Sequence, residues 1–99
     1  MSVVMGLRSH KDFDVWKLAD EVRRKVRRLI ARKDFDNHLW LREQLRRSAN
    51  SGCTNTAEGF ARFLPRDFAR FVRIARGSLT ETGEHLTEVK ELELARRRD

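Results

Sequence analysis

The chain is expected to be all-α, an up-and-down antiparallel helical bundle. Three observations lead there. Apolar residues recur at helical spacing in three long segments. The connections between those segments are short, which antiparallel neighbours favour. A single proline, five glycines and no tyrosine leave little chemistry for the many turns of a β-sandwich or barrel. Ninety-nine residues fit one domain, 1–99, and exclude an enzyme with a cleft between two lobes. A core this small is marginal alone, so partners or self-association enter the expectation from the start.

The first helix is expected over about 14–33. Val15, Leu18, Ala19, Val22, Val26, Leu29 and Ile30 fall on one stripe at 100° per residue. An aspartate of Asp12-Phe13-Asp14 is a suitable N-cap, and Arg32-Lys33 places positive charge where the helix ends. Asp34-Phe35-Asp36-Asn37 breaks the pattern, with Asp36 or Asn37 able to cap a second helix over about 37–60. One face of that helix reads Leu41, Leu45, Ser48, Ala49, Gly52, Thr56 and Gly59, apolar at first and then small. Small residues allow close approach, at roughly 1 kcal/mol of helix propensity for each glycine. The spacing Ser48, Gly52, Thr56, Gly59 therefore predicts a tight helix crossing.

The third helix is expected over about 65–94, starting at Pro65, whose missing N–H costs nothing in a first turn. Its stripe is Leu64, Phe68, Phe71, Ile74, Ala75, Ser78, Leu79, Thr82, Leu86 and Val89, with Gly77 and Gly83 off it. The residues after Leu94 read as a charged tail.

Twenty-two Lys+Arg against 15 Asp+Glu give a net charge of +7. Residues 1–50 hold 13 basic and 7 acidic residues, so most of the excess lies in that half. Arg23, Arg24, Lys25, Arg27 and Arg28 flank the first stripe, and the second helix adds Arg42, Arg46 and Arg47. A basic helical face binds phosphates by releasing counterions. The same face can instead keep a small protein soluble. Arg23, Arg24, Arg27, Arg28, Arg46 and Arg47 are the candidate RNA or DNA contacts, chosen by clustering.

On the third helix, Arg66, Arg70 and Arg73 precede Glu81, Glu84, Glu88 and Glu91 on the face opposite the stripe. That order opposes the macrodipole, which prefers acids first. A second copy running antiparallel, or displaced head to tail, would set the arginines against the glutamates, so Arg66, Arg70, Arg73, Glu84, Glu88 and Glu91 are candidate subunit contacts. Pairing of Asp67 with Arg70 within the helix is the simpler alternative and covers only part of the pattern.

No catalytic or metal constellation emerges, and neither an enzyme nor a cofactor is expected. His10, His38 and His85 lie apart, and the acids around His85 point outward with no second Glu-x-x-His. Cys53, the lone cysteine, reads as a buried structural thiol. Met1 to Leu7 lacks the basic lead-in and apolar run of a secretory signal, and no stretch is apolar enough to span a membrane, so a cytoplasmic setting is expected. Trp16 and Trp40 flank their stripes, as edge packing, interface anchors or stacking platforms for bases.

At these residues the chain resembles the bacterial four-helix-bundle family of 23S rRNA intervening-sequence proteins, also called S23 ribosomal proteins. The resemblance covers about residues 12–90. It is carried by Phe13-Asp14-Val15-Trp16-Lys17-Leu18-Ala19, Gln44-Leu45-Arg46-Arg47-Ser48-Ala49, and Ser51 with Asn55-Thr56-Ala57-Glu58-Gly59-Phe60-Ala61-Arg62. Phe68-Ala69-Arg70-Phe71 and Ile74-Ala75-Arg76-Gly77-Ser78-Leu79-Thr80-Glu81 complete it. The resemblance implies a bundle that assembles into homo-oligomers, typically pentamers, with no enzymatic activity. Relatives include a basic accessory protein of diversity-generating retroelements, which binds nucleic acid and a reverse transcriptase. Trp16, Asn55, Glu58, Gly59, Arg62, Gly77, Ser78 and Glu81 match the family motif, and helix-junction packing and polar pairing are expected of them. The chain departs from the family at Gly52-Cys53, where Ile-Pro is usual, and at Thr56, where isoleucine is usual. A fourth helix is usual after the third, and no residues remain for one here. A three-helix layer would expose part of the stripes of helices one and three, so either another subunit covers them or the long third helix packs differently from the family.

Overall fold

The computed structural model describes residues 14–62 and 65–96. Three helices follow one another: α1 (Asp14–Ile30), α2 (Leu39–Ala61) and α3 (Pro65–Glu91). Among the described residues there is no strand. Helix α2 is the middle of the layer, and both neighbours pack along it. The described residues extend over 50 × 22 × 16 Å, an elongated slab whose long axis matches the roughly 40 Å of a helix the length of α3. Asp12 of the two candidate N-cap aspartates, the stripe residue Leu64, residues Met1 to Leu7 and the tail after Arg96 lie outside the described residues.

Helix α1 ends three residues before the expected boundary. Lys33–Phe35 instead form a 3-10 turn that carries Phe35 inward until it is fully buried. Neither Asp36 nor Asn37 caps α2: its N-cap is His38, which makes no side-chain capping bond. The junction is tied from the other side by Arg42. Its Nε donates to Ile30 O at 2.8 Å, and its Nη2 donates to Arg32 O at 3.1 Å and to Asp36 Oδ1 at 3.0 Å. A side chain of α2 thus satisfies a carbonyl that the end of α1 would leave unpaired.

Phe35 joins Val26, Ile30, Leu41, Leu45, Ala49 and Val89 in the apolar core. Burying each of the larger side chains contributes about 1.5–3 kcal/mol. Towards the other end the core becomes small and polar, as the spacing of Ser48, Gly52, Thr56 and Gly59 predicts. A Cβ on Gly52 would stand 3.0 Å from Leu79 Cδ2, and one on Gly59 only 2.9 Å from Phe71 Cβ and 3.3 Å from Phe68 O. Thr56 is fully buried, and its hydroxyl donates to Gly52 O at 2.9 Å. The buried Thr82 hydroxyl of α3 donates across to Ser48 Oγ, 2.8 Å away. Burial raises the Cys53 thiol above its ordinary pKa, consistent with a structural cysteine.

Helix α3 stops at Glu91, short of the expected Leu94. Glu93 N donates to Lys90 O and Leu94 N to Val89 O, both at 3.0 Å, with Glu93 at φ 56°. This is a Schellman stop, usually built on glycine at the left-handed position. Leu94 packs back against the core, and Ala95 N donates to Asp34 Oδ2 at 2.8 Å. Part of the expected tail is therefore a clasp over the α1–α2 junction.

The exposure expected of a three-helix layer is present. Leu18, a stripe residue, is 57% exposed, and Leu86 of α3 is 37% exposed. Val22, Val26, Leu29 and Leu86 line an apolar groove between α1 and α3.

Candidate nucleic-acid interface

The basic residues chosen from the sequence divide into two groups. Asp20, almost fully buried on α1, sits between two of them. It accepts from Arg23 Nη2 at 2.7 Å, and its other oxygen lies 2.7 Å from Arg24 Nη2. The hydrogen bond from Arg23, reinforced by the charges of both arginines, holds the Asp20 carboxyl below its ordinary range against the opposing effect of desolvation. On α2, Arg46 is held by Glu43: its Nε donates to both carboxylate oxygens, at 3.1 and 2.9 Å, and its Nη2 makes a further contact. That bonding lowers the pKa of Glu43 and raises that of Arg46. Arg42, counted with the basic face from sequence, is taken up by the α1–α2 junction instead.

Arg27, Arg28 and Arg47 are exposed and make no ion pair with any described residue. They carry the uncompensated charge of the face. The residues do not make one flat patch. Arg23, Arg27 and Arg46 line a cleft between α1 and α2 with Asn50. Arg24 and Arg28 line the outer side of α1 with Trp16 and Lys17. Arg46 and Arg47 border a wider polar groove between α2 and α3, with Gln44, Ser51, Thr54 and Ser78. Arg46 and Asn50 belong to both inter-helix grooves and form the ridge between them.

Asn50, Gln44 and Thr54 were not among the expected contacts. A signal was present: Asn50 follows Arg46 by four residues, and Arg47 and Thr54 are seven apart, so each pair shares a helix face. Asp20 carried a similar signal in its spacing of three and four from Arg23 and Arg24.

Among the family-motif residues the described contacts are mainly polar pairs and close packing, with one exception. Ser51 and Ser78 hydroxyls meet at 2.8 Å across α2 and α3, and Asn55 Nδ2 donates to Ser51 Oγ at 2.8 Å. Arg62 Nε donates to Glu58 Oε2 at 3.1 Å, and its guanidinium lies 5.2 Å from the Phe71 ring. Glu81 pairs with His85 at 3.3 Å, and the His85 ring meets Trp40 edge to face, with centroids 6.0 Å apart. His85 is thereby half-buried rather than fully solvated. Gly77 is the exception: a Cβ there would meet nothing within 4 Å. Trp16 is half-buried at the margin of α1, whereas Trp40 is 63% exposed.

The candidate subunit contacts are all exposed: Arg66, Arg70 and Arg73 on one half of α3, Glu84, Glu88 and Glu91 on the other. Among the described residues none of the six makes an ion pair. The alternative pairing of Asp67 with Arg70 is not formed, and the Arg70 guanidinium lies 5.0 Å from the Phe71 ring instead. Among the described residues no group of three or more His, Cys, Asp or Glu could hold a metal ion. No described helix is long and apolar enough to cross a membrane.

Helix order, connections and the absence of strands among the described residues define an all-α helical-bundle protein. The chain belongs to the 23S rRNA-intervening sequence protein family, whose family model matches residues 11–99. No curated protein and no solved structure matches the chain.

Proposed function

We propose that this protein is a non-enzymatic, self-associating helical module that binds RNA or DNA through the arginine flank of α1 and α2. The single observation that supports nucleic-acid binding best is the trio Arg27, Arg28 and Arg47, exposed and without carboxylate partners among the described residues, in a chain of net charge +7. Such cations bind phosphates by counterion release, so binding should weaken steeply with salt. Titration of a mixed-sequence RNA at several salt concentrations is the test. Each of Arg27→Ala, Arg28→Ala and Arg47→Ala should reduce the slope of log K against log salt by about 1. Absence of binding at low salt defeats this reading.

Self-association is supported by the apolar groove of Val22, Leu29 and Leu86 and by the unpaired rows of opposite charge on α3. A pentamer is the assembly implied by the family resemblance. Light scattering should return a multiple of the 11.7 kDa chain mass. The Glu84→Lys, Glu88→Lys double variant should lower that multiple, and an unchanged mass removes the charged rows from the interface. The same groove favours a second reading, an adaptor whose partner is another protein and whose basic flank serves solubility. That reading is left if the chain binds no RNA at low salt.

A further inference from the structure

The cleft between α1 and α2 differs in character from the rest of the basic flank. It is about 150 Å³ in volume, and Arg23, Arg27, Arg46 and Asn50 stand around a floor of Val26, Ile30 and Ala49. No carboxylate lines it. Two of its arginines already have carboxylate partners. Arg23 is held by Asp20 at 2.7 Å, with its Nη1 3.4 Å from Asn50 Oδ1, and Arg46 is held by Glu43. Arg27 has no such partner among the described residues and adds a cation to the cleft. Arg23 Nε itself is shielded from solvent and meets no hydrogen-bond acceptor in the described chain, so it is closed to a ligand in the cleft as well and takes no part in the seat.

We infer that this cleft is a seat for a single phosphate group, gripped by Arg23, Arg27 and Arg46. A tetrahedral oxyanion offers several acceptor oxygens to the guanidinium groups that border the cleft from two helices, and charge-assisted bonds of that kind are about twice as strong as neutral ones. The apolar floor lowers the local dielectric and strengthens them further. Asp20 and Glu43 stand to the side, each bonded to an arginine, and orient those arginines rather than occupy the cleft. The inference deepens the nucleic-acid reading and rests on it for one source of the ligand, a backbone phosphodiester. A free phosphate ion or phosphorylated small molecule is the other source of the same chemistry.

The test uses the full chain labelled with ¹⁵N, with arginine Nε and Asn50 side-chain signals followed as inorganic phosphate replaces chloride at constant ionic strength and pH. The expected result is a saturable shift at Arg23 and Asn50, with the outer-flank signals of Arg24 and Arg28 nearly still. Arg27→Gln, an exposed substitution, should weaken phosphate at least tenfold, and Arg27→Gln with Arg46→Gln should abolish saturation. Shifts that do not saturate, that spread equally to Arg24 and Arg28, or that survive in Arg27→Gln overturn the seat. Addition of a single-stranded RNA then separates the sources. Displacement of phosphate from the same signals assigns the seat to nucleic-acid backbone, and retention assigns it to free phosphate. Salt-sensitive RNA binding without phosphate saturation removes the seat and leaves the proposed function standing. Phosphate saturation without RNA binding does the reverse.

Discussion

Gly59 and Gly77 show how one residue type serves two situations. At Gly59 a methyl group would press on Phe71 Cβ and on the Phe68 backbone carbonyl, neither of which can swing aside. Gly59→Ala should therefore destabilise by about 1–3 kcal/mol, despite its better helix propensity, because α2 and α3 must part to admit it. At Gly77 the same change meets open space and should stabilise by about 0.5–1 kcal/mol. Thermal or urea unfolding of the two variants checks the opposite signs, and two stabilised variants would contradict the close crossing. The crossing was legible from the run Ser48, Gly52, Thr56 and Gly59, because small residues at helical spacing have few other uses. Phe35 was not legible. It stands in an aspartate-rich break with no periodic neighbour, and only the 3-10 turn carries it inside.

At the scale of elements, the three helices were readable because their stripes are long, and the ends were not because tertiary bonds set them. Arg42, twelve residues from Ile30, stops α1 by bonding to it, and no local pattern announces such a reach. The stop of α3 is set by Leu94 folding back over Val89, at the cost of holding Glu93 in the left-handed region. A non-glycine residue there costs about 1–2 kcal/mol, so Glu93→Gly should raise stability by about 1 kcal/mol. Its exposed contact with Arg96, at 3.5 Å, is worth little by comparison. A loss of stability in urea unfolding would show that the stop depends on the glutamate itself. Of the candidate site, the arginines were visible as a cluster, but their division among three grooves depends on where α2 lies.

For the molecule as a whole, acid should be a specific stress. The Asp20 carboxyl is held below its ordinary value of 3.8 in the folded chain, chiefly by its bond from Arg23. A carboxylate lowered in this way adds stability above its unfolded pKa and loses it as pH falls through the folded value. Stability should therefore drop as the solution is taken below about pH 4, and Asp20→Asn should flatten that limb while lowering the plateau at neutral pH. Parallel acid limbs in the two proteins would mean that the Arg23–Asp20–Arg24 bridge adds nothing to the pH dependence. Glu43, lowered by Arg46, acts in the same direction from α2.

On α1, Arg23 and Arg27 lie to one side of the line through Ala19 and Val26, whereas Leu18, Val22 and Leu29 lie to the other. Cation-rich and oily territory therefore back onto each other across a sheet of matter one helix thick. A lesion confined to Arg27 leaves Val22 and Leu29 chemically untouched, so the two behaviours can be dissected genetically. Copies joined through their oily backs would leave Arg27 and its neighbours turned outward, and a long polyanion could lie across several copies at once.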